Sequence, residues 1–215
     1  MNQRAPARES NCLDMDTTTC IGETMIEHEV LPSARPALLT LDKPNAMMLD
    51  IETLSLGPTA YVTQIGVCVA ALAERRYLIE PRNYWTTDEQ SGRIDFETVQ
   101  WWMAQDRKVA EGVFRKDVIR FSPDRIFEVL KELVDIYDCS VWASPAMFDL
   151  PILTSFFGGR KPWKYNVERD LMTLYKMFDP DKILQPAANS SEHDAAADAK
   201  WQMDYLMNIY SNLAA

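Results

Sequence analysis

The chain has 215 residues, 47% hydrophobic and 25% charged, enough apolar material for one folded domain with its own core. It carries 32 acidic against 22 basic side chains, a net charge of −10, which excludes a protein that grips nucleic acid through a broad basic surface. No apolar run approaches the length that crosses a bilayer and residues 1–20 have no apolar signal core, so the sequence reads as cytoplasmic with no membrane partner.

Residues 1–44 mix Pro, Ser, Thr, Arg and Glu without periodicity and are expected to form a disordered or loosely packed arm, leaving residues 45–215 as the folded domain. Residues 46–51 read as a buried strand, residues 63–73 as a long buried strand, and residues 77–80 as a short return strand after a turn at Glu74-Arg75-Arg76. These three make an antiparallel start. Residues 84–93 read as a polar loop. A helix over residues 95–105 carries Phe96, Val99, Trp102 and Met103 on one face. Ser122-Pro123 opens a second helix that runs to about Asp138. Residues 140–143 form a further strand, broken by Ser144-Pro145, and the helix of residues 148–157 is stopped by Gly158-Gly159. Residues 168–178 read as an amphipathic helix, residues 184–192 as a polar loop and residues 193–210 as the closing helix. Strands first, then helices alternating with strands, make an α/β or α+β layered domain. Cys12, Cys20, Cys68 and Cys139 show no metal-site spacing. Cys68 and Cys139 fall in apolar strands and read as buried free thiols of a reducing compartment.

Chemistry concentrates in three places. Asp50 and Glu52, in A-M-M-L-D-I-E-T, lie two apart on a strand and so project from one face. Paired carboxylates at the end of a buried strand repel each other and resist desolvation, and a divalent cation would offset both effects; two solvated surface acids are the alternative. Asp149 follows the Ser-Pro break in the first turn of its helix, where the helix dipole alone would favour an acid. Asp198 stands among small alanines in H-D-A-A-A-D-A, five residues after His193, one of two histidines in the chain.

Taken in order, L-D-I-E-T, F-D-L-P-I-L and H-D-A-A-A-D-A resemble the three motifs of the DEDD exonucleases, and the His five before the last Asp matches the DEDDh (DnaQ-like) branch. The resemblance spans roughly residues 46–212. The Trp101-Trp102 helix and Arg169-Asp170-Leu171-Met172-Thr173 make the chain similar to the small stand-alone members, the mycobacterial exoribonuclease type and the exonuclease A type of T4-like phages. Ser144-Pro145 departs from the Asn or Gly that many relatives carry there.

The resemblance implies an α/β, RNase H-like fold: a mixed five-stranded sheet, its first three strands antiparallel, flanked by helices. It implies a 3′–5′ exonuclease that hydrolyses single-stranded RNA or DNA ends to nucleoside 5′-monophosphates. Two Mg²⁺ ions, replaceable by Mn²⁺, would be held by Asp50, Glu52, Asp149 and Asp198, oxygen ligands that suit a hard cation. Asp50 would bridge both ions, and His193 would take a proton from the attacking water. Thr53, Leu54 and Ser55 would line the nucleotide pocket, with Leu54 able to wedge against the terminal base. Trp101, Trp163 and Tyr165 offer stacking faces, whereas Trp102 lies on the apolar helix face and reads as core. Arg169 has two readings, a phosphate contact or an ion pair with Glu168 or Asp170. Arg160, Lys161, Lys164, Arg169 and Lys176 form the expected local basic cluster. The exposed side of the Trp101 helix and the habit of relatives point to a homodimer. A nuclease-like binding module without turnover, and an enzyme confined to very short oligonucleotides, are the competing readings.

Overall fold

The computed structural model describes residues 43–214, so the arm expected over residues 1–44 lies outside the described residues except for Lys43 and Pro44. The chain begins with an antiparallel meander: β1 (Asn45–Thr53), β2 (Val62–Ala71) and β3 (Arg76–Thr86). Every residue of β2 is buried, as its V-T-Q-I-G-V-C-V-A-A run requires of a central strand. β3 extends six residues beyond the strand expected from sequence, into the stretch read as a polar loop. Pro81 hid it. Val67 pairs with Arg82 and Val69 with Ile79, so three steps on β3 oppose two on β2, and Pro81 sits in that irregularity without interrupting the ladder.

Two short helices, α1 (Phe96–Ala104) and α2 (Arg107–Val113), lead to β4 (Arg120–Phe121). The expected apolar face of α1 is only partly used. Trp102 is buried against Leu54 and Val113 with Val99 packed beside them, while Phe96 and Met103 are exposed. α3 (Pro123–Tyr137) starts where Ser122 Oγ accepts the Arg125 amide at 3.3 Å, and ends at Asp138 in the left-handed region. β5 (Cys139–Ala143) and α4 (Ala146–Phe156) follow. Residues 168–178, expected as one helix, divide into β6 (Glu168–Asp170) and α5 (Leu171–Phe178), because the Asp170 carboxylate caps the helix by accepting the Thr173 amide. α6 (Ala195–Ala214) closes the described chain, starting two residues after His193.

The sheet order is β4-β3-β2-β1-β5-β6, with β1, β2 and β3 antiparallel to one another, β4 joined in parallel to β3, β5 in parallel to β1 and β6 in parallel to β5. The sixth strand, β4, is the departure from the expected five. It adds two residues beside the end of β3. Strand alternation sorts β1 onto two cores. Met47, Leu49 and Ile51 pack with Ile126 and Leu130 of α3 and with Leu150, Ile152 and Leu153 of α4. Ala46 and Met48 pack with Leu171 of α5 and with Ala199, Met203 and Leu206 of α6. Asp50 and Glu52 continue the second series, so they leave the sheet on the side that α6 covers. Trp163, expected as a stacking face, is buried in the first core, with Nε1 donating to Glu168 at 2.8 Å. Among the described residues no helix is long and apolar enough to cross a membrane.

Candidate active site

Asp50 pairs in register with Gly66 of β2. A Cβ on Gly66 would lie 1.9 Å from the carbonyl oxygen of Ala195, so the missing side chain lets the first turn of α6 rest directly on the sheet. That turn is held from below. Gln64 Oε1 accepts the Ala195 amide at 2.8 Å, Asn83 Oδ1 accepts the Ala196 amide at 2.7 Å, and Asp194 Oδ1 accepts the Ala197 amide at 3.0 Å. Asn83 Nδ2 in turn donates to both Asp194 oxygens at 2.9 Å. Orphan amides of a helix start are thereby satisfied by side chains of two strands, which fixes α6 in rotation and height. Gln64 and Asn83 carried no motif signal. Their part depends on a pairing of β2 and β3 with α6 that no local pattern encodes.

The result is a convergence of acids. Ligand atoms of Glu52, His193 and Asp198 all lie within 4.8 Å of one another. Burial pushes the Asp50 carboxyl well above the usual carboxylate range, reinforced by Asp149, Glu52 and Asp198. Burial also lifts Glu52 to about 8, with Asp198, Asp194 and Asp149 adding to it. Asp149, at the start of α4, is raised to about 7 by burial against the opposing pull of backbone hydrogen bonds at Asp149 and Ile51. Asp198 is raised by burial, less so because the His193 amide donates to its Oδ2 at 2.8 Å and Asn189 donates to its Oδ1. The four sequence-expected acids therefore act on one another. The charges that weigh most on Asp50, Glu52 and Asp149 are acidic, with no lysine or arginine among them.

This donor set fits a divalent cation. It is made of hard carboxylate oxygens whose mutual repulsion a cation would remove. A second polar group points the same way. Gln202, one turn beyond Asp198, donates from Nε2 to Asp50 Oδ1 at 2.7 Å, while its Oε1 is buried with no hydrogen-bond partner among the described residues. Asp170 positions Asp149 indirectly, since its Oδ1 accepts the Ala146 amide at 2.7 Å and so fixes the start of α4. Gln202 had no role in the sequence reading, and Asp170 entered it only as an ion-pair partner of Arg169 and as part of the Arg169–Thr173 segment.

His193 sits just before α6 with φ at 66°, in the left-handed region. Its ring meets those of Trp101 and Trp102 edge-on, with centroids 5.1 and 5.6 Å away. Trp102 anchors this corner, donating from Nε1 to the Thr53 carbonyl at 2.8 Å. Trp101 is 46% exposed and borders a largely apolar cleft of about 470 Å³, lined also by Glu52, Thr53, Leu56, Phe148 and His193. Thr53 itself is buried. Two of the expected pocket residues point elsewhere. Leu54 is buried against Trp102 and Val113, and the Ser55 hydroxyl donates to Asp95 at 2.8 Å inside the loop. β1 ends at Thr53, and the Leu54 backbone instead donates to the Tyr61 carbonyl at 2.9 Å and accepts the Asp95 amide at 2.8 Å. Leu56, 75% exposed at the cleft, is the side chain that offers a wedge. Arg169 lies on β6, two places from β1 in the sheet, and donates to the carbonyls of Asn166 and Glu168 at 2.7 and 2.8 Å.

Residues 45–210 match the model of the 3′–5′ exoribonuclease Rv2179c-like domain. The chain belongs to that family. The exonuclease domain is also similar to solved structures of exonuclease I. It superposes on E. coli exonuclease I in complex with a dT13 oligonucleotide with a TM-score of 0.55 at 13% identity, over 75% of this chain and 40% of that one. For the apo form of exonuclease I the TM-score is 0.56 at 13% identity, over 79% and 42%. The chain thus spans about two-fifths of the length of the exonuclease I chains it matches. At this identity the likeness establishes the fold alone, α/β and RNase H-like. No curated protein matches the sequence.

Proposed function

We propose that the chain is a 3′–5′ exonuclease that uses two divalent cations to release nucleoside 5′-monophosphates from single-stranded nucleic acid. The observation that carries this reading is that Asp50, Glu52, Asp149 and Asp198 are all raised by burial, Asp50 and Glu52 further by neighbouring acids, beside an imidazole within 4.8 Å of Glu52 and Asp198. Asp50, Glu52, Asp149 and Asp198 would hold the cations, with Mg²⁺ suited to the oxygen donors and Mn²⁺ able to substitute. Bound there, the cations would polarise the scissile phosphate and neutralise the charge that builds on it.

The chain's own groups do the rest. His193, braced by Trp101 and Trp102, accepts the proton of the attacking water. Leu56, Trp101 and Phe148 give the terminal base an apolar seat and keep bulk water from it. The Thr53 carbonyl stays fixed by Trp102, which stiffens the strand end under the terminal nucleotide. RNA enters through the family's name and DNA through the oligonucleotides in the solved relatives, so both belong in the test. The catalytic domain is taken as residues 45–215, working in a reducing cytoplasm with Cys68 and Cys139 as free thiols, and as a homodimer that sizing in solution would reveal.

Digestion of matched 5′-labelled RNA and DNA, single- and double-stranded, with Mg²⁺ or Mn²⁺, tests the proposal. The expected product is a ladder that shortens from the 3′ end. Asp50→Asn is expected to lower turnover by at least about 10³-fold, the size of a lost several-kcal/mol charge stabilisation. Wild-type digestion by Asp50→Asn would falsify the assignment of the acids. Retained binding with no product from the wild type would mark a silent binding module instead.

A further inference from the structure

A polyanion has to be held beside four carboxylates on a chain of net charge −10. Of the cations expected to do so, at residues 160–176, Arg160 and Lys161 are engaged in ion pairs. Arg160 pairs with Asp124 and lies 4.5 Å from the Phe127 ring centroid, and Lys161 pairs with Glu168 at 2.6 Å. α2 and the turn after it present another set. Arg107 is paired with Glu111 at 2.6 Å and Arg115 with Asp117 at 3.0 Å, but Lys108 and Lys116 are exposed and have no ion-pair partner among the described residues.

Their placement matters. A cleft of about 700 Å³ is bounded by Lys108 on one side and by Asn189, His193 and Asp194 on the other. A groove of about 850 Å³ continues from Lys108 to Lys116. Gln105, Lys108 and Gly112 line both, so the two form one path leading away from His193. We infer that this path carries the nucleotides upstream of the 3′ end, with Lys108 and Lys116 contacting their phosphates. The inference rests on the exonuclease reading above and adds to it a substrate longer than the terminal nucleotides. Lysine suits the task, because a mobile point charge meets a phosphate whatever the base. Asp106, Glu192 and Asp194 share the lining of the inner cleft and Glu111 and Asp117 that of the outer groove, so attraction is local to the two lysines rather than spread over a basic face.

The test compares the full chain with its Lys108→Ala/Lys116→Ala variant on single strands of two, four, eight and sixteen nucleotides. Both substitutions are at exposed positions, and thermal melting checks that the fold is unchanged. The dinucleotide is expected to be cut at the wild-type rate. For the sixteen-mer KM rises several-fold with kcat held, and the dependence of log kcat/KM on log salt flattens by about 1.4, roughly 0.7 for each single-strand phosphate that no longer meets a lysine. Equal KM and equal salt slope on the sixteen-mer would overturn the inference. If the wild type cuts no substrate, the exonuclease reading fails by itself, and fluorescence anisotropy of a labelled sixteen-mer still judges the path. Undiminished affinity in the double variant then overturns it.

Discussion

Gln202 shows how much of the site lies in one side chain that no motif contains. Its Nε2 donates to Asp50 Oδ1 at 2.7 Å and its Oε1 is buried without a partner among the described residues. One carboxylate oxygen of Asp50 is thereby fixed, which leaves the other directed by geometry instead of by chance. Removing a hydrogen bond to a charged group costs about 1.5–3 kcal/mol, and outer contacts to metal ligands typically change affinity or activity by about 10–100-fold. Gln202→Ala is therefore expected to weaken Mn²⁺ binding by about tenfold or more, read by electron paramagnetic resonance titration, and to lower kcat with KM for a dinucleotide little changed. Wild-type Mn²⁺ affinity in that variant would show that the amide only fills space. The acids themselves were legible because carboxylates at fixed spacing in three separated segments are improbable by accident. Leu56 was not. Strand alternation says nothing past the end of β1 at Thr53, and in the turn that follows Leu54 is buried while Leu56 stands exposed at the cleft.

At the level of elements, the close seating of α6 on β2 decides whether Asp198 reaches Asp50. Gly66 permits that seating, since a Cβ there would stand 1.9 Å from Ala195 O and 2.5 Å from Ala196 N, both backbone atoms that cannot step aside alone. Gly66→Ala is expected to cost about 1–3 kcal/mol or more as overpacking, and to lift the start of α6 together with Asp198. Urea denaturation would measure the first effect and Mn²⁺ affinity the second; a stable variant with undiminished Mn²⁺ affinity would show that the helix can adjust. The alanines of α6 announced this close approach, and Ala195 and Ala199 are fully buried. Elements with strong periodicity, such as α3, were readable to within a residue or two. β4 and β6, of two and three residues, are too short to carry a period, and they exist because a neighbouring strand edge supplies their hydrogen bonds. β3 was cut short by Pro81, whose effect on the ladder depends on where the irregularity falls.

For the whole molecule, the acidic site makes stability depend on pH and on divalent cations together. Glu52 is raised in the folded protein from 4.5 to about 8 and Asp149 from 3.8 to about 7. A carboxyl with a folded pKa above its unfolded value keeps a proton that the unfolded chain releases. Its contribution is fully present below about pH 4 and is lost as pH rises through about 7–8. In chelator the melting temperature is thus expected to fall between pH 5.5 and 8. In a chain of this size each kcal/mol of that loss moves it by about 2–4 °C. A divalent cation removes the cause, because it binds the ionised carboxylates of the folded state alone. Saturating Mn²⁺ or Mg²⁺ should therefore raise the melting temperature more at pH 8 than at pH 5.5 and flatten the profile. Asp50→Asn, which deletes one of the repelling charges, should flatten the chelator profile without any cation. Thermal scans of both proteins at the two pH values, with chelator and with cation, give eight melting temperatures. A wild-type profile that is level in chelator, with an equal cation shift at both pH values, would mean that the four carboxylates do not strain one another, and that the site owes its acids to something other than bound cations.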